Sequence, residues 1–403
     1  MWELVSANQR RSHLLLVAMA VLLVATGWAV GETIVGDPYA GLLGAAVTWV
    51  ILAELAFRAG DKVVLAVSRA RRIAKEDHPV LFNVVEEMSV AAGLPKPPEV
   101  YILDADAPNA FATGLRPERA AVVVTSGLLE RLTRDELQGV VAHEISHIKH
   151  RDVTYLTVMA VTAGAIVLLA DLARRVLFYG GGTRRRTSTG GRGAAPIYLL
   201  AVLLLILAPV VARLMYLALS RRREYLADAG AAIATRYPEG LASALEKIER
   251  YWAPLNTANL ATAPMFTVNP LEKAEGRLAS LLSTHPPTQE RIRILRSLGG
   301  QVSFAAFDEA FRKVTGRPVG VVPAAALRLP RAPIRKPSAD PRTPLERLRQ
   351  STNLLWRLSG YTFIPCACGT TLKVPPAYRG QELPCPHCGT LHRVVAPAGT
   401  PSA

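Results

Sequence analysis

Four uncharged apolar stretches constrain this 403-residue chain more than any other feature. Residues 14–30 follow Arg10 and Arg11, and residues 38–53 run on to Phe57 before a basic run that includes Arg58, Lys62, Arg69, Arg71 and Arg72. Residues 153–170 and 194–211 form the other two, the last keeping its apolar character to Leu219. A helix needs about 20 apolar residues to cross a bilayer. The first pair therefore reads as a membrane hairpin, 194–219 is long enough, and 153–170 is barely so. A cleaved leader is the alternative for the first stretch, but a second apolar segment follows it at once instead of polar mature sequence. The class that results is a mainly α membrane protein with substantial soluble parts, and disorder of the whole chain is excluded.

Charge orients the hairpin. Its short loop carries only Glu32 and Asp37, whereas the N-terminus and everything after Phe57 are rich in Lys and Arg, which places them on the cytoplasmic side. The net charge of +15 fits loops that face an anionic lipid bilayer. No basic surface interleaved with aromatic residues points to nucleic acid. Between the third and fourth stretches lies a loop with Arg184, Arg185, Arg186 and Arg192, which charge also assigns to the cytoplasm. If both flanking stretches span, that loop lies on the wrong side by the same rule. Any site that joins residues before 151 to residues after 220 requires zero or two complete crossings between them, so the two stretches are either full spans or a hydrophobic hairpin. The expected units are a hairpin over 1–57, the first part of a soluble domain over 58–152, two further hydrophobic segments over 153–219, and its second part over 220–315. A basic Pro-rich linker with a short helix follows over 316–360, and a small module over 361–395.

The strongest chemical signal is His143-Glu144-Ile145-Ser146-His147. Thr133 and Glu136 form a capping box that starts a helix reaching about residue 150, so residues four apart face the same way. Both imidazoles can then reach one zinc while Glu144 lies alongside as proton acceptor. His150 falls on roughly the same face but lies about 10 Å further along the axis than His143, too far for one tetrahedral ion. Ser146 has no partner that would make it a nucleophile. A third ligand has to come from elsewhere, and Glu224 with Asp228 offers two carboxylates at i and i+4 on another helix. Glu224 is suited to ligate and Asp228 to orient a zinc-bound histidine, although the same spacing is common on solvated helices.

HEISHIKH from His143, SRRREYLADAGA from Ser220, Pro108-Asn109-Ala110-Phe111-Ala112-Thr113-Gly114 and Ser283-Thr284-His285-Pro286-Pro287 occur in that order. Together they resemble the HtpX-type membrane zinc metalloproteases, over about residues 1–298. The resemblance implies a gluzincin-like protease domain with a small β element, zinc on His143, His147 and Glu224, Glu144 as catalytic base and Asp228 in support. It also draws Asn109 and His285 into the cleft, His285 as a candidate donor to the oxyanion, while Arg291 either pairs with an acidic neighbour or, the favoured reading, is structural. The family lies in the cytoplasmic (inner) membrane, here multi-pass, with its catalytic domain facing the cytosol, and cleaves unfolded or damaged membrane proteins. The expected reaction is metal-assisted peptide hydrolysis, with Glu144 taking the water proton and returning it to the leaving amine.

The four cysteines all lie between 366 and 388. Cys366-x-Cys368 and Cys385-x-x-Cys388 have the spacing of a zinc ribbon, and a module this short needs a structural metal for stability. The expectation is one catalytic and one structural Zn2+, with the ribbon cytosolic and available to a protein partner. Two rivals differ in class: a non-catalytic membrane adaptor with two structural zinc sites, and a protease acting on prenylated peptides. The first has no use for Glu144.

Overall fold

A computed structural model describes residues 2–114, 116–179, 194–255, 265–268, 270 and 285–395. The basic loop with Arg184, Arg185, Arg186 and Arg192, and Ser283 and Thr284 of the fourth motif, lie outside these residues.

The apolar stretches become long helices. α1 (Trp2–Val30) and α2 (Pro38–Val67) form the hairpin, joined by a short π-helical turn (Gly31–Val35). Asp37 starts α2 by accepting from the amides of Tyr39 and Ala40. Glycine lets the two helices touch: a Cβ on Gly41 would fall 2.3 Å from the carbonyl oxygen of Gly27. Two segments, His13–Val35 and Pro38–Leu55, are long and apolar enough to cross a membrane.

The sheet that positions the site follows. β1 (Arg71–Arg72) precedes α3 (Pro79–Ala92), β2 (Glu99–Leu103), β3 (Ala110–Thr113) and β4 (Ala121–Thr125), and the strand order is β1-β2-β4-β3. β2 and β4 pair in parallel, and β3 runs antiparallel to β4 at the edge. β4 is buried along its whole length, as expected of a strand covered on both faces. α4 (Ser126–Arg131) and α5 (Arg134–Lys149) come next. Thr133 and Glu136 cap α5 reciprocally, and Lys247 and Ser243 also bind Glu136.

α6 (Asp152–Tyr179) begins at the expected boundary at 152, whereas α7 (Ala194–Thr235) runs on through the one at 219. α7 has 42 residues, a length of roughly 60 Å. Its apolar part, Pro196–Ala212, is shorter than those two segments, and the same helix continues to Glu224 and Asp228. Met19 and Leu23 of α1 pack with Tyr155, Met159 and Ile166 of α6 and Ala208 and Ala212 of α7. Large apolar side chains such as Val21, Val47, Leu168 and Leu203 point outward on all four helices.

α8 (Pro238–Arg250) and α9 (Thr288–Arg296) close the core around α5, and β5 (Gln301–Val302) and α10 (Phe304–Thr315) follow. The basic Pro-rich segment expected as a linker is docked. Its β6 (Ala332–Pro333) pairs with β5. Arg335 donates to the Thr235 carbonyl at the end of α7 and to Asp135 and Gln138 at the start of α5. Asp340 accepts from the amide of Arg134. Composition reads as a linker here because proline and arginine leave little periodicity, yet Arg335 finds a carboxylate and a helix-end carbonyl on the folded domain.

α11 (Pro344–Leu358) lies on α4, with Arg347 Nε donating to the Glu130 carbonyl. The terminal module rests on α11: Trp356 stacks on Tyr361 and Lys373 Nζ sits 4.2 Å above the Trp356 ring. It consists of two hairpins, β7 (Thr362–Pro365) with β8 (Thr371–Val374), and β9 (Glu382–Pro384) with β10 (Leu391–Arg393).

His78 caps α3 by accepting from the Leu81 amide at Nδ1, 3.1 Å away. Burial and the neighbouring Arg342 push its pKa down to about 4 from 6.5. The unfolded chain therefore takes up this proton first as pH falls, so the stability contribution is intact above 6.5 and lost progressively toward 4, on the order of 3 kcal/mol in all. Thermal unfolding measured between these limits is expected to show the slope, and His78→Asn, which keeps a capping acceptor that does not titrate, to reduce it.

Candidate metal centre

α5 is buried from Leu137 to Ile148. Its contact with α7 is close because position 230 is glycine: a Cβ there would lie 2.5 Å from Ser146 Oγ. That hydroxyl donates to the Ala142 carbonyl, so Ser146 serves packing. The close approach brings Glu224, less than two turns before Gly230, to the two imidazoles. His143 Nε2 and His147 Nε2 are 3.2 Å apart, and Glu224 lies 3.5 Å from the first and 3.3 Å from the second.

Each imidazole has its own carboxylate behind it. His143 Nδ1 is 2.9 Å from Asp228 and His147 Nδ1 is 3.1 Å from Asp152, which leaves both Nε2 atoms turned toward Glu224. A buried arginine holds each aspartate in turn. Arg291 binds Asp228 with two hydrogen bonds of 2.7 and 2.8 Å and lies 3.3 Å from Glu224. Arg223 donates to the Asp152 carbonyl at 2.9 Å, and its Nε is 3.4 Å from the carboxylate. His285 also reaches the centre, with Nδ1 3.2 Å from Glu224. His150 ends α5 as its C-cap and takes no part.

Burial opposes a charged imidazole at 147, but Asp152 and Glu224 outweigh it and push the pKa up to about 10. At His143, too, burial is outweighed, here by Asp228 and Glu224, and the shift is upward. Glu224 is held well below the carboxylate range in spite of burial, by His285, His143 and His147. The two imidazole shifts reflect demand for positive charge where the Nε2 atoms and Glu224 meet, and the downward shift of Glu224 keeps that carboxylate ionised among them. Glu144, Glu224, Asp152 and Asp228 supply four carboxyl groups against two guanidinium groups, a deficit that a divalent cation offsets. The ligand atoms lie within 4.8 Å of one another, and two imidazoles with one carboxylate are a zinc donor set that leaves a position open.

Glu144 lies on the same helix. Its Oε1 accepts from the Thr267 hydroxyl at 2.7 Å, and its Oε2 is buried without a hydrogen bond among the described residues. Asn109 is buried nearby, with its amide paired to the backbone of Val268 in both directions. Asp152, Arg223 and Thr267 are absent from the residues that motif spacing selects, and Arg291 turns out to bridge the aspartate and the glutamate. For Asp152 a signal exists in the sequence: it is the carboxylate nearest after His147, at the first turn of the next helix.

The tail forms a second cluster. Cys366 Sγ and Cys388 Sγ are 3.4 Å apart, and Cys368 Sγ and Cys385 Sγ 3.8 Å, with no disulfide among them. A tetrahedron with Zn–S bonds of about 2.3 Å has edges of roughly 3.8 Å, so the four thiols suit a structural zinc.

A helix-borne pair of histidines meeting a glutamate from a helix that continues into an apolar bundle defines a membrane-associated zinc metallopeptidase. The chain belongs to the HtpX-type proteases of peptidase family M48, whose profile matches residues 76–298. A protease HtpX homolog of Dictyoglomus thermophilum is 44% identical over 298 residues, which are 74% of this chain and 95% of the relative. One from Thermoanaerobacter pseudethanolicus is 42% identical over 302 residues, 74% of this chain and 98% of its own. The crystal structure of S. mikatae Ste24p is a distant likeness, with 17% identity, a TM-score of 0.42, and coverage of 73% of this chain and 67% of that one. The docked segment and the four-cysteine module lie beyond the matched residues.

Two measurements follow from this geometry. Elemental analysis of the purified full chain is expected to give two zinc ions per molecule, and one in Cys385→Ser. Asp152→Ala is expected to weaken zinc at the other site about 10- to 100-fold, read by competition with a chelator, and unchanged affinity would remove Asp152 from the centre.

Proposed function

We propose that this protease hydrolyses peptide bonds of unfolded or damaged membrane proteins at the cytosolic face of the cytoplasmic membrane, with Glu144 as the proton acceptor and donor. The observation that carries this reading is the burial of Glu144 beside the His143, His147 and Glu224 cluster with Oε2 left unbonded among the described residues. A purely structural site has no use for such a group, which disfavours the adaptor.

Zinc held by His143, His147 and Glu224 would supply a Lewis acid for the scissile carbonyl and acidify a water. Glu144 then takes the proton of the attacking water and gives it to the leaving amine. Asp228 and Asp152 keep the two imidazoles in the tautomer that presents Nε2. His285, against Glu224, borders the place where the carbonyl has to sit, and we assign it to the oxygen that becomes negative. Asn109 contributes by holding the backbone beside the site. The basic residues after α2 and the outward apolar side chains of α6 and α7 support a multi-pass arrangement with the protease domain and the ribbon in the cytosol. The ribbon, seated on α11, remains available to a protein partner.

Purified wild type and Glu144→Gln are to be compared on an unfolded model membrane protein, with zinc measured in both. The expected result is equal zinc and a fall in cleavage on the order of 10²- to 10⁴-fold. Equal cleavage by the variant would refute the role of Glu144, and zinc-loaded wild type that cleaves nothing would count against this substrate class.

A further inference from the structure

We propose that Thr267 is a positioning residue for Glu144, fixing which carboxylate oxygen stays available for the proton; this rests on the reading of Glu144 as the proton acceptor. The Thr267 hydroxyl has one proton and two acceptors in reach, Glu144 Oε1 at 2.7 Å and the Ala110 carbonyl at 3.1 Å. The Ala110 carbonyl already accepts from the Thr267 amide at 2.8 Å. The hydroxyl proton therefore goes to the carboxylate, the shorter and charge-assisted bond. Oε1 is thereby occupied and Oε2 left open.

The hydroxyl can hold Glu144 in place only if its own backbone is fixed, and four contacts fix it. Phe266 forms a bridge with Phe111 of β3, adding a short antiparallel pairing at the sheet edge, and the two rings pack with centroids 4.7 Å apart. Val268 is clamped by Asn109, whose Nδ2 donates to its carbonyl at 2.7 Å and whose Oδ1 accepts from its amide at 3.3 Å. Arg291 Nη1 donates to the Thr267 carbonyl at 3.1 Å. Phe266 and Thr267 are each 1% exposed. Arg291 also grips Asp228 and lies against Glu224, so the residue that orients the base and the residues that hold the ligands share one support. Loss of the hydroxyl would leave Oε1 buried and unsatisfied and Glu144 free to turn about its last torsion.

The test uses full-length zinc-loaded protein with Thr267→Val, which removes the donor at nearly constant shape, and Thr267→Ser, which keeps it. Thr267→Val is expected to lower kcat about tenfold to a hundredfold, with KM changed by no more than about twofold and zinc content unchanged; Thr267→Ser is expected to retain most of the turnover. A readout without turnover is a thermal-unfolding cycle. Thr267→Val should lower Tm in the wild-type background and much less in Glu144→Ala, since the partner is then already gone. Unchanged kcat in Thr267→Val overturns the proposal, as does a serine variant as impaired as the valine one, which would indicate packing alone. A rise in turnover also overturns it, because the segment would then be obstructing the substrate. If Glu144→Gln keeps its cleavage, the proton-acceptor reading falls and this assignment with it. If only Glu144→Gln is impaired, the assignment of Thr267 alone is refuted.

Discussion

Buried charge governs this protease domain. Glu224, Asp228 and Asp152 are withdrawn from water with Arg291 and Arg223, and each ion would be costly in isolation. The arrangement is tolerable because every carboxylate faces either an imidazole or a guanidinium group at hydrogen-bonding or ion-pairing distance. The same arrangement restricts what the centre can hold. Two Nε2 atoms 3.2 Å apart, backed by aspartates and faced by a glutamate, call for a cation and disfavour an anion. Stability and metal selection are thus one problem, solved by the same side chains.

The long apolar helices are part of that solution. Asp152 is the first residue of α6, and Glu224 and Asp228 lie on α7 beyond its apolar segment. These two largely apolar helices bring Glu224 of the candidate metal cluster and both supporting carboxylates to the histidines without an intervening loop. α5 contributes the histidines from the soluble side, and Gly230 sets how closely it meets α7. Beyond Pro209, α7 runs on as helix through Glu224 and Asp228, so the cluster is set by helix packing and does not depend on loop conformation.

Much of the centre was legible because helical periodicity is local. Thr133, Glu136, His143, Glu144 and His147 fall within one helix, and a spacing of four residues determines the face. Glu224 and Asp228 were visible as a pair, but only a resemblance of ordered motifs distinguished them from an ordinary charged helix. Asp152 was hidden by standing at the head of an apolar run, where it reads as a boundary. Thr267 had no signal at all: its partner is 123 residues away, and it lies in an irregular segment without periodicity. Arg335 and Asp340 were concealed for a related reason, since a proline-rich basic stretch looks the same whether it is solvated or docked. The thiol cluster was legible because four ligands of one kind within 23 residues define a tetrahedron without help from the rest of the fold.

The order of these residues along the chain has a consequence in time. His143 and His147 leave the ribosome early, Glu224 only after α6 and most of α7 have been made, and Arg291 later still. A nascent chain shorter than this holds at most a pair of histidines with no third ligand, and later an unsupported one. The clamps supplied by Arg335 and Asp340 come last. Both N-terminal apolar helices are therefore made before the cluster can assemble, and an incomplete chain at the site of synthesis carries no complete metal centre.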